Sequence, residues 1–299
     1  MKKNQFKLLD AVACKLLKEL LPADSRRNSC ELSWSNLQLY QDSYHWHYAY
    51  DGNNLWIVSF EAEYILFPLG KYPEAAGLRY ALDELTGQEA AWVCGDVPPE
   101  YAACCPEAGR FFDIQFDAGE ADYIYSLEHL HSFAGGKLRK RHNQVRQFER
   151  EYAGRYQVRE LTDKDIPQVC QMAGRVSNAY WDSESGQEER AAFGRLAECW
   201  QDSLQHLMGI GLWVDDSLVG FSIGSALNEQ TVDVHFEKAD HAFCGCGAKL
   251  TAAMVEYLLE HNWLYMNREQ DMNLEGLRRA KQALDPDQLY KRMKFCIGK

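Results

Sequence analysis

The sequence predicts an α/β (α+β) protein built from two domains with mixed central sheets. Three observations carry that reading. At 299 residues the chain is about twice as long as one hydrophobic core usually serves. Strand-like runs and helical periodicity alternate along both halves. With 46% hydrophobic and 25% charged residues, there is enough apolar surface to offset the ordering entropy of the whole chain.

No apolar run reaches the length of about 18 residues that a membrane helix requires. Residues 6–21 come nearest, but Lys7, Asp10, Lys15, Lys18 and Glu19 interrupt them, so a surface helix is expected over 4–21. A soluble, cytoplasmic chain without an integral membrane segment follows as an expectation. The ten cysteines form no C-x-x-C pair, which predicts reduced, mostly buried thiols and no metal site. A net charge of −12 argues against a nonspecific nucleic-acid coat, and DNA is not expected as a partner.

The remaining elements of the first half follow in order. Tyr44, Trp46 and Tyr48 alternate, Asp51-Gly52-Asn53 signals a turn, and 55–60 and 64–68 read as strands, together a meander. Residues 74–85 look helical, whereas 91–94, 111–116 and 122–125 look extended. Residues 137–150 (KLRKRHNQVRQFER) then carry six basic groups against one acid. Their periodicity is helical: Leu138, Val145, Phe148 and Tyr152 fall within about 80° of one another at about 100° per residue. Arg139, Arg146 and Arg150 project to the opposite, solvated side. Arg141 projects on the apolar side with Lys137 near its edge, where a guanidinium must find a carboxylate, carbonyls or a bound anion. The domains are accordingly placed at 1–154, including this helix, and 155–299.

The second half opens with the strand Val158-Arg159-Glu160-Leu161 and the cap Thr162-Asp163-Lys164-Asp165. Helices are expected at 166–178 and 187–205, a hairpin at 212–224 around Asp215-Asp216-Ser217, and a strand at 231–237. A glycine turn then enters a helix at 248–261, followed by a strand at 263–266, a helix at 274–284 and a last element at 289–297. This order, and the hairpin Trp213-Val214-Asp215-Asp216-Ser217-Leu218-Val219-Gly220-Phe221, resemble the GNAT (acyl-CoA N-acyltransferase-like) fold. The resemblance implies an acyl donor bound where two central strands splay.

Three groups of residues are chemical candidates. The turn Ala242-Phe243-Cys244-Gly245-Cys246-Gly247 exposes free N–H groups at a helix start. It reads either as an anion site of Gly245, Gly247 and Lys249 or as a plain helix entry. The resemblance gives Tyr290 the role of protonating a leaving thiolate. In 231–237, period-2 alternation sends Val232, Val234 and Phe236 to one face and Asp233, His235 and Glu237 to the other. Such a row serves as a general base or is closed by salt bridges that include Lys238. Finally, Asn267-Arg268-Glu269-Gln270-Asp271 is a polar run directly after a buried strand, where α/β sheets place ligand-contacting groups.

The stretches 122–128, 137–143, 236–240 and 267–281 resemble soluble bacterial proteins related to the C-terminal domain of phosphatidylglycerol lysyltransferase. That family has two tandem GNAT-like domains, and its lipid-modifying members move an aminoacyl group from charged tRNA to a lipid hydroxyl. Those members also carry a multi-pass membrane domain, which no stretch here supplies. The resemblance implies an acyl or aminoacyl transferase acting on an amine or hydroxyl acceptor in a cleft between the domains. Acyl-CoA or aminoacyl-tRNA would be the donor, and no resident cofactor or metal is assigned. Lys137 and Arg141 are expected to attract donor phosphates, Arg268 to steady charge, and Glu269 and Asp271 to recognise an amine, with Asn143 completing the binding set. The alternatives are a coenzyme-A-dependent N-acetyltransferase and a non-catalytic ligand-binding module.

Overall fold

A computed structural model describes residues 2–87, 91–133 and 135–297. The chain begins with β1 (Lys7–Leu8), α1 (Ala11–Leu20), α2 (Trp34–Leu39), α3 (Gln41–Tyr44), β2 (His47–Tyr50), β3 (Asn54–Ser59) and β4 (Tyr64–Gly70). It continues through α4 (Ala75–Thr86), β5 (Trp92–Val97), α5 (Pro99–Cys104), β6 (Asp113–Gln115), β7 (Asp122–Ser126), α6 (Leu127–Ser132) and α7 (Arg139–Glu151). Next come β8 (Tyr156–Glu160), α8 (Ile166–Trp181), α9 (Glu184–Gln201), β9 (Met208–Val214), β10 (Ser217–Ala226) and β11 (Thr231–Ala239). The chain closes with α10 (Cys246–Glu260), β12 (Tyr265–Asn267), α11 (Glu275–Gln282), β13 (Gln288–Tyr290) and β14 (Met293–Ile297).

These strands form two seven-stranded mixed sheets, ordered β1-β2-β3-β4-β5-β14-β6 and β13-β7-β12-β11-β10-β9-β8. In chain order each set of seven starts with four antiparallel strands and then makes a parallel junction, β4 with β5 and β11 with β12. The expected plan of two tandem GNAT-like domains is displayed in this repeated order. The seventh strand of each repeat crosses over: β7 joins the second sheet beside β12, and β14 joins the first between β5 and β6. The compact units are therefore Met1–Ala121 with Tyr290–Lys299, and Asp122–Leu289. This differs from a boundary at 154/155, because α7 packs on α10 and β7 pairs with β12 inside the second unit.

The helix expected over 4–21 starts only at Ala11. Asp10 Oδ1 accepts from the N–H groups of Val12 and Ala13 at 2.9 and 3.0 Å, an N-cap that fixes the start, and β1 precedes it. The meander β2-β3-β4 is present as predicted, preceded by two short helices, α2 and α3, that periodicity did not reveal. On α7 the predicted apolar stripe of Leu138, Val145, Phe148 and Tyr152 is buried, and Arg139, Arg146 and Arg150 are exposed.

The polar row expected on β11 is not one row. Where β11 pairs with β10, Gly224 faces Val234 and Ile223 faces Phe236, so His235 is an extra residue, a β-bulge. Before the bulge Val232 and Val234 belong to the core that contains Leu250, Ala253 and Met254 of α10. After it the phase reverses: Phe236 packs on Phe193 of α9 with ring centroids 4.2 Å apart, and Glu237 reaches Thr251 of α10. Asp233 and His235 thus stay on one face of the sheet while Glu237 moves to the other.

Gly245 caps α10 with φ +80°, and a Cβ there would lie 2.4 Å from the carbonyl oxygen of Gln144 on α7. A Cβ at Gly247 would meet only Ala239 Cβ, at an ordinary 3.7 Å. Gly245→Ala is therefore expected to destabilise the protein by at least about 2 kcal/mol, from left-handed strain plus the clash with α7. Gly247→Ala should change stability by no more than about 0.5 kcal/mol. Urea unfolding of both variants checks this, and equal losses would remove the packing role assigned to Gly245.

Candidate functional site

β12 pairs with only the first three residues of β11, Thr231, Val232 and Asp233. Beyond them the edge of β11 that carries His235 and Glu237 has no ladder partner on that side among the described residues. The polar side chains of β11 and of the loop after β12 collect there in two groups, one on each face of the sheet.

The first group faces α10 and α7. Glu237 Oε1 accepts from Arg268 Nη2 at 2.6 Å and from Thr251 Oγ1 at 3.1 Å. Arg141, half-buried on α7, makes no hydrogen bond or ion pair among the described residues. It lines a hollow of about 20 Å³ with Leu130, Phe133, Leu138, Thr251 and Leu284. Burial, and then the positive charge of Arg268, pull the Arg141 guanidinium below its usual range, against the opposing influence of Glu237 and Tyr125. Glu237 is the one carboxylate near two guanidiniums and is bonded only to that of Arg268, so the group keeps a surplus positive charge beside an apolar wall. That combination favours an anion.

The second group is buried on the other face. His235 Nε2 lies 2.9 Å from Ser225 Oγ, and His235 Nδ1 lies 3.3 Å from Glu269 Oε1 and 3.5 Å from Asp233 Oδ2. The side chains of Asp233 and His235 are sealed from solvent, whereas 22% of the Glu269 side chain remains exposed.

A rigid loop positions both groups. Asn267 donates to Asp122 Oδ2 at 2.9 Å, and its own Oδ1 accepts from the Glu269 N–H at 2.6 Å. Glu269 adopts φ +55°, a conformation that costs a non-glycine residue about 1 kcal/mol or more and persists only where its surroundings over-determine it. Buried Lys281 donates to the carbonyls of Arg268 and Gln270. Asp271 accepts from Tyr123 Oη at 2.7 Å and from Arg278 Nε and Nη2, each at 2.8 Å. Arg268 and Glu269 consequently leave a fixed backbone toward opposite faces.

The other expected site residues fall elsewhere. Asp271 is committed to Arg278 and Tyr123, so its carboxylate holds the loop and is not presented to an amine. Lys137 is exposed and pairs with Asp285 at 2.6 Å, and Asn143 is exposed on the outer side of α7. Lys249 is bonded to Glu149 at 2.7 Å and lies over the Tyr156 ring. The Gly245 turn is packed against α7, where a Cβ on Gly245 would meet the Gln144 carbonyl oxygen at 2.4 Å. Tyr290 belongs to the first unit, with Arg292 over its ring. Sequence reading missed Ser225 and Thr251, whose only signal was a hydroxyl inside an apolar strand or helix.

A family model described as phosphatidylglycerol lysyltransferase, C-terminal, matches residues 23–294. No curated protein sequence matches the chain. A crystal structure of a conserved protein of unknown function from Bacteroides thetaiotaomicron is similar, with 26% identity, a TM-score of 0.86, and 98% and 99% of the two chains covered. The C-terminal domain of a putative lysylphosphatidylglycerol synthetase from Agrobacterium fabrum shares 12% identity at a TM-score of 0.61, over 97% of this chain and 93% of that one. The L-PGS structure from Bacillus licheniformis shares 14% identity at 0.64, over 98% and 94%. The last two likenesses concern the fold. Among the described residues no helix is long and apolar enough to cross a membrane.

The Asp271 latch has a pH signature. Burial alone would raise its carboxyl, but hydrogen bonds from Arg278, Tyr123 and the Asn273 N–H outweigh that and hold it below the ordinary 3.8. A lowered folded value contributes stability above the unfolded value and loses it as pH falls through the folded one. Asp271→Asn should cost about 2 kcal/mol at pH 7, given that Arg278 is one-third exposed, and the gap should narrow as pH drops below 3.8. Urea midpoints of wild type and variant from pH 7 to pH 3 measure it; a gap that does not depend on pH would contradict the ionised latch.

Proposed function

We propose that this chain, which belongs to the phosphatidylglycerol lysyltransferase C-terminal family, is an acyl or aminoacyl transferase that docks an anionic group of its substrate on Arg141 and Arg268. The observation that carries this reading is Arg141: half-buried, without a hydrogen bond or ion pair among the described residues, and beside an apolar hollow. As a structural element alone it costs stability, because its desolvation is offset by no partner at contact distance. A phosphate or carboxylate supplies that partner.

The chemistry proposed is transfer from an activated ester: the lysyl group in the family's name is an aminoacyl group, and an aminoacyl-tRNA is the donor class implied by the sequence resemblance. The acceptor amine or hydroxyl attacks the donor carbonyl, the acyl bond to the donor oxygen breaks, and the acceptor proton passes by way of a base to that departing oxygen, which leaves as a hydroxyl. Arg141 and Arg268 hold the anion, so the reacting groups meet in one orientation, from which most of the acceleration arises. Glu237, tied to Arg268 and Thr251, is the carboxylate best placed to take the proton or bind the amine. His235 and Asp233 stand on the opposite face and have no part in this scheme. Nor does the glycine turn, whose Gly245 is accounted for by its packing against α7, and the coenzyme-A reading is correspondingly the weaker one.

Arg141→Met tests the assignment. Thermal shift with charged tRNA, uncharged tRNA, acetyl-CoA and desulfo-CoA should show stabilisation by the charged tRNA. The variant should weaken that binding by about tenfold to a hundredfold, the worth of one charge-assisted contact. Its ligand-free melting temperature should rise, because a desolvated cation has been replaced by an apolar chain of similar reach. Arg139→Ala, on the exposed side of the same helix, should alter neither quantity. Stabilisation by acetyl-CoA alone, or unchanged binding in Arg141→Met, would refute the proposal.

A further inference from the structure

We infer that Asp233, His235 and Glu269 form a binding site for a divalent transition-metal ion of the zinc class. The argument begins with distance. Donors bound about 2.0–2.2 Å from a tetrahedral ion lie about 3.3–3.6 Å from one another. His235 Nδ1 lies 3.3 Å from Glu269 Oε1 and 3.5 Å from Asp233 Oδ2, and the three ligand atoms fall within 4.8 Å of one another. An imidazolium paired directly with a carboxylate prefers about 2.7–2.9 Å. The imidazole nitrogen thus faces two carboxylates at separations too long for a strong charged hydrogen bond and suited to sharing a cation.

The surroundings agree. Nδ1 is the ligating nitrogen, so Nε2 carries the proton and donates to Ser225 Oγ at 2.9 Å, the outer contact that normally fixes the ring of a metal-bound histidine. Two carboxylates around one imidazole make an anionic cluster, and two of the three side chains are sealed from water, where a cation offsets the desolvation of the acids. Glu269 is aimed at the cluster by its left-handed backbone and by Asn267, and its partly exposed side chain provides the entry path. An O,O,N donor set suits zinc and its manganese and iron neighbours. The ion would tie the loop after β12 to β11. The site lies on the opposite face from Arg141 and stands independently of the transferase reading.

The test uses the full chain, freed of metal with a chelator and titrated with Co²⁺ and Zn²⁺. One equivalent of Co²⁺ should give the visible bands of a four-coordinate N/O site, without the near-ultraviolet charge transfer that cysteine thiolates produce. Saturating Zn²⁺ should raise the melting temperature by about 5 °C or more. His235→Gln should abolish both signals, and Glu269→Gln should weaken binding at least tenfold. If His235→Gln fails to fold, Glu269→Gln, altered at a partly exposed side chain, decides the matter alone. Arg141→Met should bind metal as wild type does. No saturable uptake, a thiolate spectrum, or equal uptake by wild type and Glu269→Gln would overturn the site.

Discussion

One extra residue in β11 governs what the polar side chains of the second unit can do. The bulge at His235 needs close approach of β10, and Gly224 permits it: a Cβ there would sit 2.4 Å from the carbonyl oxygen of Asp233. Without the bulge, Asp233, His235 and Glu237 would share a face. Three ionisable groups would then compete for one set of partners, and Phe236 would lie on the α10 side, away from Phe193. With it, an arginine-rich group and an acid-rich group are separated by the thickness of a sheet. Each keeps its own sign of charge, which is the condition for binding an anion on one side and a cation on the other.

The second constraint is the crossing of β7. This strand precedes the second repeat in sequence yet pairs with β12, and its side chains supply the anchors of the loop that follows β12. Asp122 accepts from Asn267, Tyr123 donates to Asp271, and Tyr125 donates to the Lys281 carbonyl at 2.8 Å. The loop is therefore held by residues about 145 positions away along the chain, as the separations of the first two contacts show. Such contacts lock a loop without lengthening any local element.

That same long-range anchoring explains what the sequence could and could not disclose. The amphipathic stripe of α7 was legible because helical periodicity is local: Leu138 and Phe148 are buried, Arg139 and Arg150 are exposed, and Arg141 stands between. The order of strands and helices after Val158 was legible for the same reason. The boundary near 154 was not, since pairing of β7 with β12 leaves no mark in either segment. Nor was the bulge, because alternation is a rule for regular strands and one inserted residue inverts everything beyond it. Gly245 illustrates a different limit. A glycine records that something approaches closely, and whether that is a ligand or the backbone of α7 is decided in three dimensions. Acids two positions apart, such as Glu269 and Asp271, look alike in a list of residues, yet one faces the His235 cluster and the other is spent on a latch.

The two faces are joined by a single peptide, the one linking Arg268 to Glu269, which invites the idea that ligands on the two sides communicate. The energetics argue against strong coupling. Communication requires an element with two arrangements whose balance each ligand shifts. The loop here is over-determined: Lys281 holds the carbonyls of Arg268 and Gln270, Asn267 holds the Glu269 N–H, and Arg278 holds Asp271. A second arrangement would break several buried hydrogen bonds together, at about 1 kcal/mol or more each. A segment that stiff transmits little, because a ligand on either face finds the arrangement it needs already formed. Its rigidity serves placement: Arg268 and Glu269 are set at their two stations before anything binds, and the ordering cost has been met in folding.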